Sequence, residues 1–331
     1  MDCTSVPGFF GSPQFLSMAL HSSSILTTPI HCFGLYCILW RTPESMKSVK
    51  WYLVNLHIWI MIFDYTYGLL TIPYLLLPHL AGIPLGILQF FGVPNQYQVL
   101  TLVLFLTYVV NSIVAVFENR FHVVCIYPGK QSWKYWRRWW LAAHYVGAFL
   151  IVASLLLVTP DQESARRHVI EDLPCLRHYI SEARLFVFSE NVLYIALVFA
   201  FYATISISES FLFSGFLISY TLRQLKSKRM SRKTFNIQRK FLMALVIQME
   251  VPLTMLLLPF LYGWLSVLTG YHNQVLINIA LTIGSMHGFC STLVMLFVQH
   301  PYRETMFNLV LETKIMRMFE KDLNTQRPIL H

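Results

Sequence analysis

Seven stretches of this chain run for twenty residues or more with almost no charge: approximately 16–40, 51–77, 96–118, 137–159, 190–222, 239–268 and 273–298. A bilayer's hydrocarbon core is about 30 Å thick and takes roughly 20 residues of helix to cross. Inside it every backbone N–H and C=O needs a partner within the protein, which for runs of this length means a helix. The reading is therefore an all-α membrane protein, a seven-transmembrane helix bundle. Composition agrees, since 56% of the residues are hydrophobic and 12% charged, against about 25% charged in a soluble domain. A soluble enzyme, a secreted scaffold and a disordered chain are all excluded on that ground.

Loop charge gives the orientation, because Lys and Arg in short loops are retained on the cytoplasmic side. Of 25 Lys and Arg residues, all but Arg166, Arg167, Arg177 and Arg184 fall after the first, third and fifth runs or in the tail. The N-terminus is expected outside and the C-terminus inside. The formal charge of +9 then reflects this asymmetry and contact with anionic membrane lipids, with no nucleic-acid partner. Residues 1–15 contain no Lys or Arg, so the first run is expected to act as its own signal anchor. The expected organisation is an extracellular segment 1–15, the bundle 16–298 and a cytoplasmic tail 299–331. In that tail Met306, Phe307, Val310, Leu311, Ile315, Met318 and Phe319 recur at three- and four-residue steps, the pattern of an amphipathic interfacial helix. An odd number of spans excludes a simple transporter of two equal inverted halves. The six cysteines show no metal spacing, and no cofactor is expected.

The local sequence is sharper than the architecture. Arg41-Thr42-Pro43-Glu44-Ser45-Met46, Asn55-Leu56-His57 through Asp64, Glu118-Asn119-Arg120, Gln238-Arg239-Lys240-Phe241-Leu242, Ile247-Gln248 before Pro252, and Pro301-Tyr302-Arg303 together resemble the nematode serpentine chemoreceptors of class H, in the Str superfamily. The resemblance runs from about residue 16 to 310. It implies a chemosensory G-protein-coupled receptor without enzymatic activity, in the plasma membrane and specifically the cilium of a sensory neuron. Its partners would be a small-molecule or peptide ligand and a heterotrimeric G protein. The chain departs from the rhodopsin-like pattern at Glu118-Asn119-Arg120, and its seventh run ends without Asn-Pro-x-x-Tyr.

Three acids lie near mid-membrane, about 15–21 Å from the inner edge at 1.5 Å per residue: Asp64, Glu209 and Glu250. Ionised acids there cost several kcal/mol. With no Lys or Arg deep in the apolar runs, each must be protonated, hydrated, cation-bound, or hydrogen-bonded to groups such as His57, Asn278, His287 or Gln248. In the functional reading Asp64, with His57 seven residues earlier on the same helix face, belongs to a buried polar switch, and Glu209 and Glu250 form the floor of a ligand cavity. In the structural reading each is a protonated carboxyl tying neighbouring helices together. Aromatic walls for the cavity come from residues such as Tyr67, Tyr108, Tyr202 and Tyr262, which equally suit packing. Pro252 removes a backbone hydrogen bond and offers either a hinge in the sixth run or simple packing. Glu118 and Arg120 bracket the inner membrane edge, where the resemblance implies a switch and physics alone an interfacial anchor. The resemblance adds Tyr302 and Arg303 to the G-protein-coupling set. Cys3 and Cys175 are the two cysteines expected outside, where a bridge between them would tie the N-terminal segment over the cavity mouth. The competing function is a seven-helix ligand-gated cation channel subunit or transporter, in which the membrane acids would line a cation path.

Overall fold

The computed structural model describes residues 8–172, 184–227, 231–309 and 311. Helix α1 (Pro13–Trp40) starts where the Ser12 hydroxyl accepts from Phe15 N–H, with Pro13 at the first helical position, a side-chain cap followed by a residue that needs no donor there. Helix α2 (Lys47–Tyr65) continues as a π-helical stretch, Thr66–Thr71. Strands β1 (Pro73–Leu75) and β2 (Leu80–Pro84) follow, then α3 (Asn95–Val124), α4 (Lys130–Ser154), α5 (Gln162–Asp172), β3 (Phe186–Ser189), α6 (Val192–Lys226), α7 (Arg232–Thr269), α8 (Gln274–Ser285) and α9 (His287–Val298). Residues 300–309 are helical as well.

Among the described residues six helical stretches are long and apolar enough to span a membrane: Pro13–Trp40, Lys47–Thr71, Asn95–Val124, Lys130–Val158, Val192–Lys226 and Gln274–Val298. A shorter apolar stretch, Thr254–Thr269, lies within α7. The set is consistent with a seven-helix bundle. Helix α3 packs against α2, α4 and α6, α7 packs against α8 and α9, and α1 lies between α2 and α9. The bundle is apolar on the outside: Ile25, Trp51, Phe149, Phe211 and Leu258 are exposed, while His31, His57, Asn111, Asn278 and His287 are buried. A surface of that kind is unfavourable in water and suits hydrocarbon.

At the end of the bundle where α1 begins, a three-stranded antiparallel sheet of order β1-β2-β3 forms a cap. Tyr74 faces Ile83 across β1 and β2, and Ala81 faces Val187 across β2 and β3. The cap is tied to the helices by Tyr74 Oη donating to Gly11 O (2.8 Å), by Gln274 Nε2 donating to Leu75 O (3.0 Å), and by Gln162 bonding both N–H and C=O of Val187. Asp161 caps α5 by accepting from Ser164 N–H at 3.0 Å, and that bond holds its carboxyl below the usual range. Neither the cap nor α5 was expected from hydropathy.

The second span, expected to reach Leu77, stops as helix at Thr71. Ile72 takes a left-handed φ of 45°, and Pro73 brings no N–H to continue the ladder. The seventh span, expected over 273–298, runs from Gln274 to Val298 with a single turn residue at Met286, whose N–H bonds Ile283 O at 3.1 Å. Cys3, Cys175 and most of the amphipathic tail lie outside the described residues, as does the side chain of Pro252 within α7.

Candidate functional site

Three features sit in line along the bundle axis. The central one is a buried polar cluster where α1, α2, α8 and α9 meet. His31 Nε2 lies 2.8 Å from Asp64 Oδ2, and His31 Nδ1 lies 3.0 Å from Thr292 Oγ1. Since the Thr292 hydroxyl donates to Gly288 O (2.9 Å), its oxygen is left to accept from His31 Nδ1–H. The 2.8 Å contact then needs a further proton on Nε2 or on Oδ2, so imidazole and carboxyl share one proton between them. His287 Nδ1 donates to Gly284 O (3.2 Å) and lies 3.0 Å from Asp64 Oδ1. His57 Nε2–H donates to His31 O (3.0 Å), its ring edge-on to that of His31.

His287 directly follows the turn at Met286 and faces Asp64. Two glycines permit the close packing. A Cβ on Gly288 would stand 1.7 Å from Asp64 Oδ2, and one on Gly34 would stand 2.5 Å from Thr292 Cγ2 and 3.1 Å from His57 Cε1. Beside Asp64, lined by Ser23, Thr27 and Ser285 among others, is a gap of about 10 Å³, on the scale of a single water molecule. Among the described residues no group of three or more His, Cys, Asp and Glu side chains is arranged to hold a metal ion.

Toward the capped end is the second feature, a cavity of about 330 Å³. Its walls come from α2, α3, α6, α7, α8 and all three strands, and no lining residue carries a charge. Phe63 and Gly284 belong to both features: they line the cavity, while the Phe63 ring packs edge-on against His287 (5.1 Å) and Gly284 accepts from it. Tyr67, also in the lining, donates to Leu281 O at 2.9 Å and bonds α2 to α8.

The third feature lies at the opposite end. Glu118 Oε2 meets Arg137 Nη2 at 2.6 Å, and Trp133 Nε1 donates to Glu118 Oε1 at 2.7 Å. Arg137 also donates to Asn119 Oδ1 and Tyr52 Oη. Glu118 therefore ties α3 to α4. Arg120 is buried beneath Tyr302, within electrostatic reach of it, and Tyr302 is wholly buried with its hydroxyl 2.8 Å from Thr42 Oγ1. Arg303 donates to Phe297 O.

Of the residues singled out in the sequence, Asp64 and His57 share the central cluster, Tyr67 and Tyr262 line the cavity, and Glu118, Arg120 and Tyr302 occupy the end opposite the cap. Glu209 instead faces His144, Nε2 to Oε2 3.0 Å. Tyr202 joins α6 to α3 through Asn111 Oδ1 (2.6 Å), and Tyr108 packs between Trp59 and Tyr145. Glu250 is exposed on α7. None of these four lines the cavity. Sequence reasoning passed over His31 and Arg137. His31 was open to the test applied to the acids, a titratable group in an uncharged run; Arg137 lies at the start of the fourth run, where it counted only toward loop charge.

Membrane helices bundled around an apolar cavity, with a buried polar cluster beside it, make a multi-pass membrane protein with room for a small molecule. Residues 11–312 match the family model described as "Serpentine type 7TM GPCR chemoreceptor Srh". The curated protein "Serpentine receptor class H-72" of Caenorhabditis elegans is 26% identical over 317 residues, covering 94% of this chain and 90% of that protein. The chain belongs to the Srh family of seven-transmembrane chemoreceptors, a family of receptors and not of enzymes.

Proposed function

We propose that the chain is a chemosensory G-protein-coupled receptor that binds a small external chemical inside the bundle and signals to a heterotrimeric G protein. Its N-terminus lies outside and its C-terminus inside, in the plasma membrane of a sensory cell, the neuronal cilium being the site that family membership suggests. The observation that carries this reading is the shared wall between cavity and polar cluster: Phe63 and Gly284 touch both. A ligand pressing on that wall acts on His287, and through it on Asp64 and His31, which together join α1, α2 and α9. Binding that favours one arrangement of these helices over another shifts a two-state equilibrium by its difference in affinity for the two states. Arg120, Tyr302 and Thr42, where α1, α3 and the segment after α9 converge, are the proposed reporters of that shift on the G-protein side. The basic stretch from Arg223 to Lys240 gives the inner face a charge suited to an acidic partner.

The test is a chemical screen in a heterologous cell, recording second messenger and whole-cell current together, with and without a block of G-protein coupling. A messenger response abolished by the block is expected. A current that survives the block and changes ion selectivity in Glu209→Gln would transfer the protein to the channel class.

A further inference from the structure

Beside the apolar cavity, at the capped end of the bundle, is a second and more polar space, a cleft of about 550 Å³. The two lie back to back, with Pro84 of β2 and Phe186 of β3 lining both. Arg166 and Arg184 line the cleft, the first half-buried and the second exposed, so both are open to a solute that enters it.

The fold fixes where these arginines stand. Arg166 of α5 donates from Nε to Leu185 O at 2.6 Å, a bond that orients the guanidinium and leaves its two Nη groups to donate elsewhere. The adjoining carbonyl, Arg184 O, accepts from Asn95 Nδ2 of α3 at 3.1 Å. One arginine is thus anchored at the residue that follows the other. Among the described residues no carboxylate lines the cleft. Four acids of the same segment face other groups: Asp161 accepts from Ser164 N–H, while Glu163, Asp172 and Glu190 face Arg167, His79 and His168 in turn.

Two positive charges in one concavity repel each other and draw anions from solution. Guanidinium donors match the two oxygens of a carboxylate. The rest of the wall is neutral, with Gln89 and the apolar surfaces of Phe90, Val93 and Pro94 all at least partly exposed. An inorganic anion would leave that apolar surface unused, and a cation would meet two like charges. The volume falls within the ~300–1,000 Å³ range of small-molecule sites.

We infer that this cleft is an anion site, separate from the apolar cavity, for a small organic acid. Its carboxylate sits on Arg166 and Arg184, and its hydrocarbon or aromatic body lies on Phe90, Val93 and Pro94. The chain then carries two recognition sites of opposite character, one on each side of the wall that Pro84 and Phe186 form.

Three probes of one skeleton test this on the full-length chain in phosphatidylcholine nanodiscs at neutral pH: phenylpropionate, phenylpropanamide and phenylpropylammonium, with inorganic phosphate as a fourth. Binding to the folded state is read as thermal stabilisation. Phenylpropionate is expected to bind at least about tenfold tighter than the amide, because hydrogen bonds to a charged group exceed neutral ones. That advantage should shrink at high salt, and the ammonium and phosphate should stabilise little. Arg166→Gln and Arg184→Gln are each expected to weaken phenylpropionate by about five- to tenfold and to leave the amide unchanged. Arg184→Lys keeps the charge and should retain most of the binding. Arg184 is exposed, so its variants decide the matter even if Arg166→Gln, which gives up the bond to Leu185, fails to fold. Equal binding of the three phenyl probes, unchanged phenylpropionate binding in Arg184→Gln, or no stabilisation by any probe would overturn the inference. So would phosphate matching phenylpropionate, or displacement of phenylpropionate by phosphatidylglycerol added to the disc, which would make the cleft a phosphate or lipid-headgroup site. Failure of the receptor reading looks different: phenylpropionate binds as stated while no compound changes a G-protein-dependent messenger.

Discussion

Gly288 and Asp64 are the pair on which the central cluster turns. With a Cβ at Gly288 placed 1.7 Å from Asp64 Oδ2, Gly288→Ala must displace the carboxyl or push α9 away from α2. An overpacked site of this kind typically costs about 1–3 kcal/mol, and a lowered melting temperature in detergent measures it. In an Asp64→Ala background the added methyl enters space already cleared, so the same substitution is expected to cost little. Additive losses would mean that the two residues do not meet. At the end opposite the cap, Arg120→Ala is expected to leave surface expression and ligand binding largely intact while reducing messenger output, and unchanged output would remove Arg120 from the coupling set. Asp64 and His57 were legible as residues because a charge or an imidazole in an apolar run demands a partner. His31 carried the same signal without an acid beside it in sequence. Its partners are 33 and 261 residues away, a distance no motif spans.

Among the elements, α3 and α4 are joined at Glu118 and Arg137, a pair with 3% and 15% side-chain exposure. Removing one member of a buried ion pair costs about 3–5 kcal/mol. Glu118→Gln is expected near the lower bound, because Arg137 keeps Asn119 and Tyr52. Thermal unfolding measures the loss, and basal messenger should stay at the wild-type level; a rise in basal signalling would make Glu118 a switch and not a tie. Helices were readable wherever apolar length alone fixes them, as in α1, α3, α4 and α6. What hydropathy could not read was where an apolar run stops being helical. Residues 73–84 are as apolar as the helix before them, but Pro73 and the left-handed Ile72 redirect the backbone into strands. The turn at Met286 has no proline or charge to announce it, and His287, which meets Asp64, follows it directly.

On the scale of the whole molecule, the apolar exterior and polar interior invert the arrangement of a soluble protein, and the bundle matches the family over residues 11–312. The loop charges predict an outside N-terminus, so an epitope there should be accessible to antibody on intact cells, and one at the C-terminus only after permeabilisation. The reverse pattern would refute the orientation. The cavity was legible only as a set of aromatic walls: Tyr67 and Tyr262 line it, while Glu209, Glu250, Tyr108 and Tyr202 do not, because facing direction depends on helix rotation and on a sheet that hydropathy does not announce. The account stands on the connection from cavity to polar cluster. The most direct measurement takes a compound that raises the messenger in the wild type and compares its binding and its signalling in Asp64→Asn, which keeps the shape of the side chain and removes the carboxyl that shares a proton with His31. Asp64 lies behind the cavity wall and not in it, so binding should stay within about threefold while messenger output falls by about tenfold or more. Equal loss of binding and signalling, or full retention of both, would contradict it.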